Sequence, residues 1–319
     1  HPRKVATEYF LDDSRSVVSE NNSPDISFRF SINPYRGCAH GCSYCYARPY
    51  HEYLGLSAGL EFESKIFVKP DAPQLFRKWL GRKSWACEPV NLSGITDPYQ
   101  PAERKFRITR DCLQVASDCH QPIYLITKNA LVTRDLDILQ SMAQRNLVRV
   151  VVSMTSMDQE LIRLMEPRTS SPAARLRAIG QLAERDIPVM ANVAPIILGL
   201  NEHEVPAILK SVADAGACGA KYIVLRLPGP VEEIFFCWVD AHFPDRRQKI
   251  ENGIRSMREG NLASNRFFDR MTGTGAIAEQ IRTMFKTFAR QHGLDKPLLP
   301  LTTDLFQRPS ADAAQKRLF

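Results

Sequence analysis

No run of 18 apolar residues occurs in this sequence, which excludes a helix long and apolar enough to cross a membrane. No basic start leads into an apolar stretch, so no export leader is expected. Separated cysteine pairs of the zinc-knuckle kind are missing as well. Five of the eight cysteines, Cys87, Cys112, Cys119, Cys218 and Cys237, stand alone. Without an export signal, these cysteines point to a reducing, cytoplasmic compartment and argue against a disulfide framework. Lone cysteines of this kind usually act as small buried hydrophobes. Neither sign of charge dominates: the net charge is +7. That balance suits an anionic partner such as nucleic acid, and equally a mildly basic surface. With 319 residues, 44% hydrophobic and 24% charged, the chain has the composition of a globular protein. Its length fits one β/α barrel with additions or two small domains.

Short apolar runs alternate with amphipathic helical patterns. The expected strands are 26–32, 89–93, 122–127, 147–154, 188–194 and 221–226, rich in Val, Ile, Leu or Tyr. The expected helices cover 73–80, 107–118, 133–144, 174–184 and 202–215, each with an apolar stripe. Near-continuous apolar strands separated by helices indicate a parallel sheet covered by helices. Six βα units are too few to close an eight-stranded barrel. The fold expected is therefore α/β, an open partial barrel, with a doubly wound sheet as the alternative. Residues 1–25 read as an N-terminal extension, 26–230 as the barrel, and 231–319 as a helical C-terminal region with a tail. A polar, glycine-broken insert spans about 260–275. In either architecture the active site lies at the carboxyl ends of the strands.

The first strand runs into Asn33-Pro34-Tyr35-Arg36-Gly37-Cys38-Ala39-His40-Gly41-Cys42-Ser43-Tyr44-Cys45. Cys38, Cys42 and Cys45 stand at C-x3-C-x2-C spacing. Thiolates are soft ligands that suit zinc or iron–sulfur. A structural zinc site would add His40 or His51 as fourth ligand, although such sites usually bring ligands as two separated pairs. A [4Fe–4S] cluster held by three corners would leave one iron open for chemistry. An electron-transfer or sensing protein is a further alternative, but carriers usually ligate all four irons with cysteine.

The motif, with its aromatic after the second cysteine, resembles the radical S-adenosylmethionine (SAM) superfamily. The wider string through Cys45-Tyr46-Ala47-Arg48-Pro49 resembles the branch containing spore photoproduct lyase and the DNA-repair-photolyase-like proteins. Lys65–Lys69, Thr96–Pro101, Thr127-Lys128, Met165–Arg168 and Val193–Asn201 are similar to that branch too. The resemblance implies a partial (β/α)6 radical SAM barrel with a helical C-terminal extension. It also implies a [4Fe–4S] cluster on Cys38, Cys42 and Cys45, with SAM on the open iron. One electron, from a reductant such as flavodoxin or ferredoxin, would then give a 5′-deoxyadenosyl radical that takes hydrogen from a substrate. The protein's share is orientation, electronics and exclusion of water.

The same resemblance and the strand ends assign contacts. Tyr44 and Tyr46 would flank adenine or pack the loop. Thr96 and Asp97 replace the usual Gly-Gly-Glu and would meet the methionine ammonium. Lys128 would hold the carboxylate. Ser153 would bond the ribose, and backbone near Gly199 would approach the adenine. Asn201, with Glu204, reads equally as a helix N-cap. Arg226 is placed for an anionic substrate, with Glu166 and Arg168 at the mouth. The lyases use a cysteine after the second strand as hydrogen donor, and residues 94–101 contain none. Tyr99 is the substitute donor considered. The substrate class stays open among a nucleic-acid lesion, a small molecule and a peptide. Basic runs at 104–107 and 246–249 would meet phosphates or simply face solvent.

Overall fold

A period of alternating strand and helix can build either of two sheets, and strand order separates them. The computed structural model describes residues 6–264 and 266–309. It contains strands β1 (Glu8–Leu11), β2 (Val18–Glu20), β3 (Phe30–Ile32), β4 (Tyr35–Arg36), β5 (Lys65–Val68), β6 (Val90–Leu92), β7 (Ile123–Thr127), β8 (Val148–Ser153), β9 (Val189–Ile196) and β10 (Gly219–Val224). Strands β3, β6, β7, β8, β9 and β10 lie side by side in chain order, and all are parallel. A doubly wound sheet reverses its order at a switch point. No reversal occurs here, so the sheet winds in one direction as a partial (β/α)6 barrel. Strand β2 adds antiparallel to β3 at one edge.

The expected strands move at their ends: four shorten, the fifth extends to Ile196 and the sixth shifts toward the N-terminus. The first retains Phe30–Ile32, and the sixth spans Gly219–Val224. Arg226 therefore lies in the loop beyond β10. A smaller sheet, in the order β1-β5-β4, was not anticipated. In it the N-terminal segment pairs in parallel with Lys65–Val68.

The helices bury the stripes their spacing announces. Ile108–Asp118 buries Ile108, Cys112, Val115 and Ala116, and Val205–Asp214 buries Val205, Ile208, Leu209 and Val212. The third unit opens with a 3-10 turn, Ala130–Asp135, before helix Leu136–Ala143. The fourth gains a second helix, Gln159–Met165, capped by the Asp158 carboxylate, before Pro172–Ala183. Asn201 does not cap the following helix. Its amide instead accepts from Ile197 N at 2.7 Å and donates to Thr155 O at 2.7 Å, bracing the loop after β9. A short side chain that finds backbone partners across a loop has no reason to cap.

The C-terminal region forms helices Val231–His242, Arg247–Ser256 and Gly275–Gln291, with the polar insert between the last two. The tail runs along the amino ends of the strands. Leu299 O accepts from Arg149, Pro300 O accepts from Asn146, and Gln307 N donates to Cys119 O. The expectation for 310–319 lies outside the described residues. Among the described residues, no helix is long and apolar enough to cross a membrane.

Two fully buried carboxylates tie the second and third units together. Glu103 accepts from Tyr35 Oη at 2.5 Å and from Arg134 at 2.7 Å. Asp135 accepts from Tyr99 Oη at 2.9 Å, Arg110 at 2.9 Å and Arg134 at 2.7 Å. Asp135→Ala should lower the unfolding free energy by about 2 kcal/mol or more, because buried Tyr99 and the part-buried Arg110 and Arg134 lose a charged acceptor. Tyr99→Phe should cost about 1 kcal/mol. Urea unfolding checks both, and equal costs would contradict the network.

Candidate active site

The cysteine loop leaves the carboxyl end of β3 through β4, and its shape depends on two glycines. Gly37 has φ +74°, and a Cβ there would meet Lys65 O and Phe62 O at 2.9 Å. Gly41 has φ +67°, and a Cβ would collide with the carboxylate of Glu63 and the guanidinium of Arg168. Those two groups form an ion pair at 2.7 Å. Glycine at 41 is thus required twice, by the left-handed backbone and by the pair lying against it.

Backbone groups of the loop are gripped from three directions. From the second unit, Gln100 accepts from Ala39 N at 2.9 Å and donates to Gly37 O at 3.0 Å. Asn33 Oδ1 accepts from Ser93 Oγ at 2.7 Å and Ile95 N at 2.9 Å. From the helix that follows the cysteines, buried Arg48 donates to Cys42 O at 3.0 Å and Gly59 O at 2.8 Å. From the fourth unit, Met165 O accepts from Ser43 N at 3.0 Å, and Arg168 donates to Ala39 O and His40 O. Of these holders, the sequence singled out only Glu166 and Arg168, as residues of the mouth. Gln100 and Arg48 stood inside quoted motifs without a role.

Glu166 is the centre of the fourth-unit grip. Its fully buried carboxylate accepts from Tyr44 Oη, Thr155 Oγ1 and Arg175, with Lys128 Nζ at 3.4 Å. Burial alone would raise its pKa. The Arg175 and Lys128 charges, with the Thr155 and Tyr44 hydroxyls, overcome that and hold the carboxyl well below its usual range. Its contribution to stability is therefore full above the ordinary glutamate pKa and is lost only as pH falls toward the lowered one.

The expected SAM contacts divide in two. Lys128 follows β7, is partly exposed and lies 5.6 Å from the Tyr44 ring centroid. Its Nζ reaches Thr155 Oγ1, Ala194 O and Glu166, each at 3.4 Å, so the cation retains capacity for a further anion. Ser153 ends β8, buried, with its carbonyl accepting from Arg175. Tyr46 is 44% exposed and donates to Gly94 O at 2.6 Å. Arg226 lies 5.8 Å from the Tyr46 ring centroid.

Four other positions are engaged elsewhere. The Asp97 carboxylate accepts from Thr127 Oγ1 and Lys128 N at 2.7 Å and from Tyr99 N at 2.9 Å. It stitches the second loop to the third strand, which leaves little for a methionine ammonium. Thr96 is buried and donates to Tyr35 O. Tyr99 is fully buried on Asp135, where a hydrogen donor could not meet a substrate. The space beside Gly199 is filled by Lys249 and Ile250, which gives that glycine a packing reason.

Soft thiolates at Cys38, Cys42 and Cys45 suit an iron–sulfur cluster by donor chemistry, while among the described residues no group of three His, Cys, Asp or Glu side chains is placed to hold a metal ion. All eight cysteines are free, and Cys38 and Cys42 are buried. Burial raises all three loop thiols, Cys38 to about 12. Backbone amides of His40 and Asp97 act on Cys38, and those of Ala47 and Arg48 on Cys45, in the direction that favours thiolate. A bound metal completes that deprotonation. Of the two histidines considered as a fourth zinc ligand, His51 alone keeps a buried ring nitrogen, Nε2, without a hydrogen-bond partner. His40 is held by Asn129 at 3.2 Å and Asp97 at 3.5 Å, and the His51 ring packs edge-on against Phe62.

The radical SAM superfamily profile matches residues 32–212. The chain belongs to that superfamily. Radical SAM enzymes carry a [4Fe–4S] cluster and use SAM, so these are the cofactors of this chain; enzymes of the superfamily draw on an external reductant. An uncharacterized protein of Mycobacterium tuberculosis (strain ATCC 25618 / H37Rv) is 35% identical over 226 residues, which is 70% of this chain and 66% of its own length. An uncharacterized protein of Methanocaldococcus jannaschii is 29% identical over 177 residues, covering 55% of this chain and 63% of that one. Among solved structures, spore photoproduct lyase complexed with dinucleoside spore photoproduct aligns with a TM-score of 0.64. It is 17% identical over 89% of this chain and 79% of that one, a likeness of fold.

Glu166→Ala should lower stability by about 3–5 kcal/mol, because Arg175 would be left as an uncompensated buried charge. Iron bound after anaerobic reconstitution should fall with it, since Tyr44 loses its anchor. Denaturant titration and iron analysis measure the two. Full iron content in a destabilised variant would separate the carboxylate from the loop.

Proposed function

We propose that this radical SAM enzyme abstracts a hydrogen atom from a nucleic-acid substrate bound at the barrel mouth. The observation that carries the radical chemistry is the loop of three free thiols, two of them buried, clamped at the carboxyl ends of six parallel strands. Cys38, Cys42 and Cys45 would hold three irons. When bound and reduced, the cluster supplies one electron that splits the sulfur–C5′ bond of SAM and yields the hydrogen-abstracting 5′-deoxyadenosyl radical. Lys128 meets the SAM carboxylate, Ser153 the ribose, and Tyr44 holds the floor of the site through Glu166. Thr96 and Asp97 act as positioning residues through the loop they brace. A flavodoxin or ferredoxin serves as reductant, and the free thiols are compatible with a reducing, cytoplasmic setting. The working division is a catalytic barrel over 26–230, flanked by an extension over 1–25 and a helical region over 231–319.

The substrate class rests on two observations. The fold is that of an enzyme whose solved complex holds a dinucleoside photoproduct. Tyr46, Tyr50 and Tyr53, 44%, 49% and 84% exposed, follow the third cysteine at the surface. Exposed rings of this kind stack bases. The basic run at 246–249 contributes less than its charge suggests. Arg247 pairs with Asp240 at 2.7 Å and lies 4.0 Å from the Phe236 ring centroid.

Reduced, reconstituted protein should convert SAM to 5′-deoxyadenosine, and Cys42→Ala should abolish both the product and the visible absorption of the cluster. An intact cluster without SAM cleavage would sink the radical reading. Lys128→Met should raise the KM for SAM about tenfold or more, the worth of one charged hydrogen bond. An unchanged KM would remove Lys128 from the site.

A further inference from the structure

The glycine-broken insert after helix Arg247–Ser256 covers two adjoining cavities of about 70 and 10 Å³ that share Arg258, Ala263 and Ser264. Arg226 and Leu227, from the loop beyond β10, line the smaller one. Arg258 is only 4% exposed, yet its Nε and Nη1 are buried without a hydrogen-bond partner. Its Nη2 is anchored on Leu225 O at 2.5 Å. Arg226 makes one weak contact, with Met271 Sδ at 3.4 Å.

Carboxylates near these arginines are already matched. Glu259 and Asp269 both pair with Arg266, at 2.9 and 2.7 Å. Asp25 holds Arg270 at 2.5 and 2.6 Å. Among the described residues, neither Arg226 nor Arg258 has a carboxylate within salt-bridge distance. Burial lowers the pKa of both, with a further push on Arg258 from the charge of Arg226 and on Arg226 from that of Arg270. A buried and a half-buried guanidinium that repel one another, one of them with idle N–H donors, are an arrangement completed by an oxyanion.

We propose that Arg226 and Arg258, with the Ser264 hydroxyl, form a subsite for a phosphate ester of the substrate. The ring of Tyr46 beneath Arg226 joins this subsite to the cysteine loop, so the phosphate would sit one residue's reach from the stacking surface. Guanidinium binds phosphate through charge-assisted N–H···O bonds; the idle Nε and Nη1 of Arg258 lie on different edges, either side of the Nη2 held by Leu225 O, so each offers a single N–H to an oxyanion. The proposal deepens the nucleic-acid reading but needs no turnover.

Binding of inorganic phosphate and of thymidylyl-thymidine dinucleotide is measured by calorimetry at fixed ionic strength, which holds screening constant. Wild-type protein should bind both saturably and in competition. Arg226→Gln should weaken both about tenfold, and Arg258→Met should abolish both. Because Arg258 also anchors Leu225 O, Arg226→Gln serves as the decisive variant if Arg258→Met misfolds. Absence of saturable binding, or unchanged affinity in Arg226→Gln, would overturn the subsite. Phosphate binding that the dinucleotide does not compete for would overturn the ester assignment. Formation of 5′-deoxyadenosine is scored separately: its failure with phosphate binding intact counts against the radical chemistry alone.

Discussion

A single buried carboxylate holds the two halves of the site together. Glu166 carries no exposure, and burying a charge is tolerated only when partners replace its water. Arg175 neutralises it from the following helix, Thr155 reaches it from beyond β8, and Tyr44 reaches it from the cysteine loop. Lys128, from the end of β7, stands within 3.4 Å of the same oxygen that Tyr44 and Thr155 use. One charge thus sets the relation between the loop for the cluster and the cation assigned to SAM. Substrate-facing groups inherit their positions from that relation.

Around this centre the loop's backbone is almost entirely committed. Gln100, Arg48, Met165 and Arg168 each bind backbone groups of residues 37–43, so the path of the loop is dictated by groups outside it. Preorganisation of this kind suits radical chemistry, where a misplaced hydrogen costs selectivity. It also explains why Gly41 accepts no side chain. The ion pair that closes the clamp, Glu63 with Arg168, passes through the space a Cβ would need.

The strands, their parallel order and the cysteine triad were legible in sequence because each rests on local pattern: apolar period, helical stripe and ligand spacing. What escaped depends on pairing across the chain. The β1-β5-β4 sheet joins residues more than 50 apart, and no local signal marks Glu8–Leu11 as a partner of Lys65–Val68. Asp97 looked like a ligand for an ammonium because it follows a strand at the reactive end. Its three backbone and hydroxyl donors come from Lys128, Thr127 and Tyr99, which only the folded chain brings to it. Asn201 looked like a cap for the same reason of local spacing. Glu166 and Arg168 stood in a motif whose likeness was noted, but a motif does not say which atoms it grips.

The clamp on the cysteine loop also fixes an order of events as the chain is made. Residues 38–45 leave the ribosome before Met165, Glu166 and Arg168, which hold them in shape from more than 120 residues later in the chain. Closing a loop of that length is an entropic cost met only when the fourth βα unit exists to reward it. The cysteines are therefore made before the groups that give them their final geometry, and the clamp closes only once the fourth unit has been made.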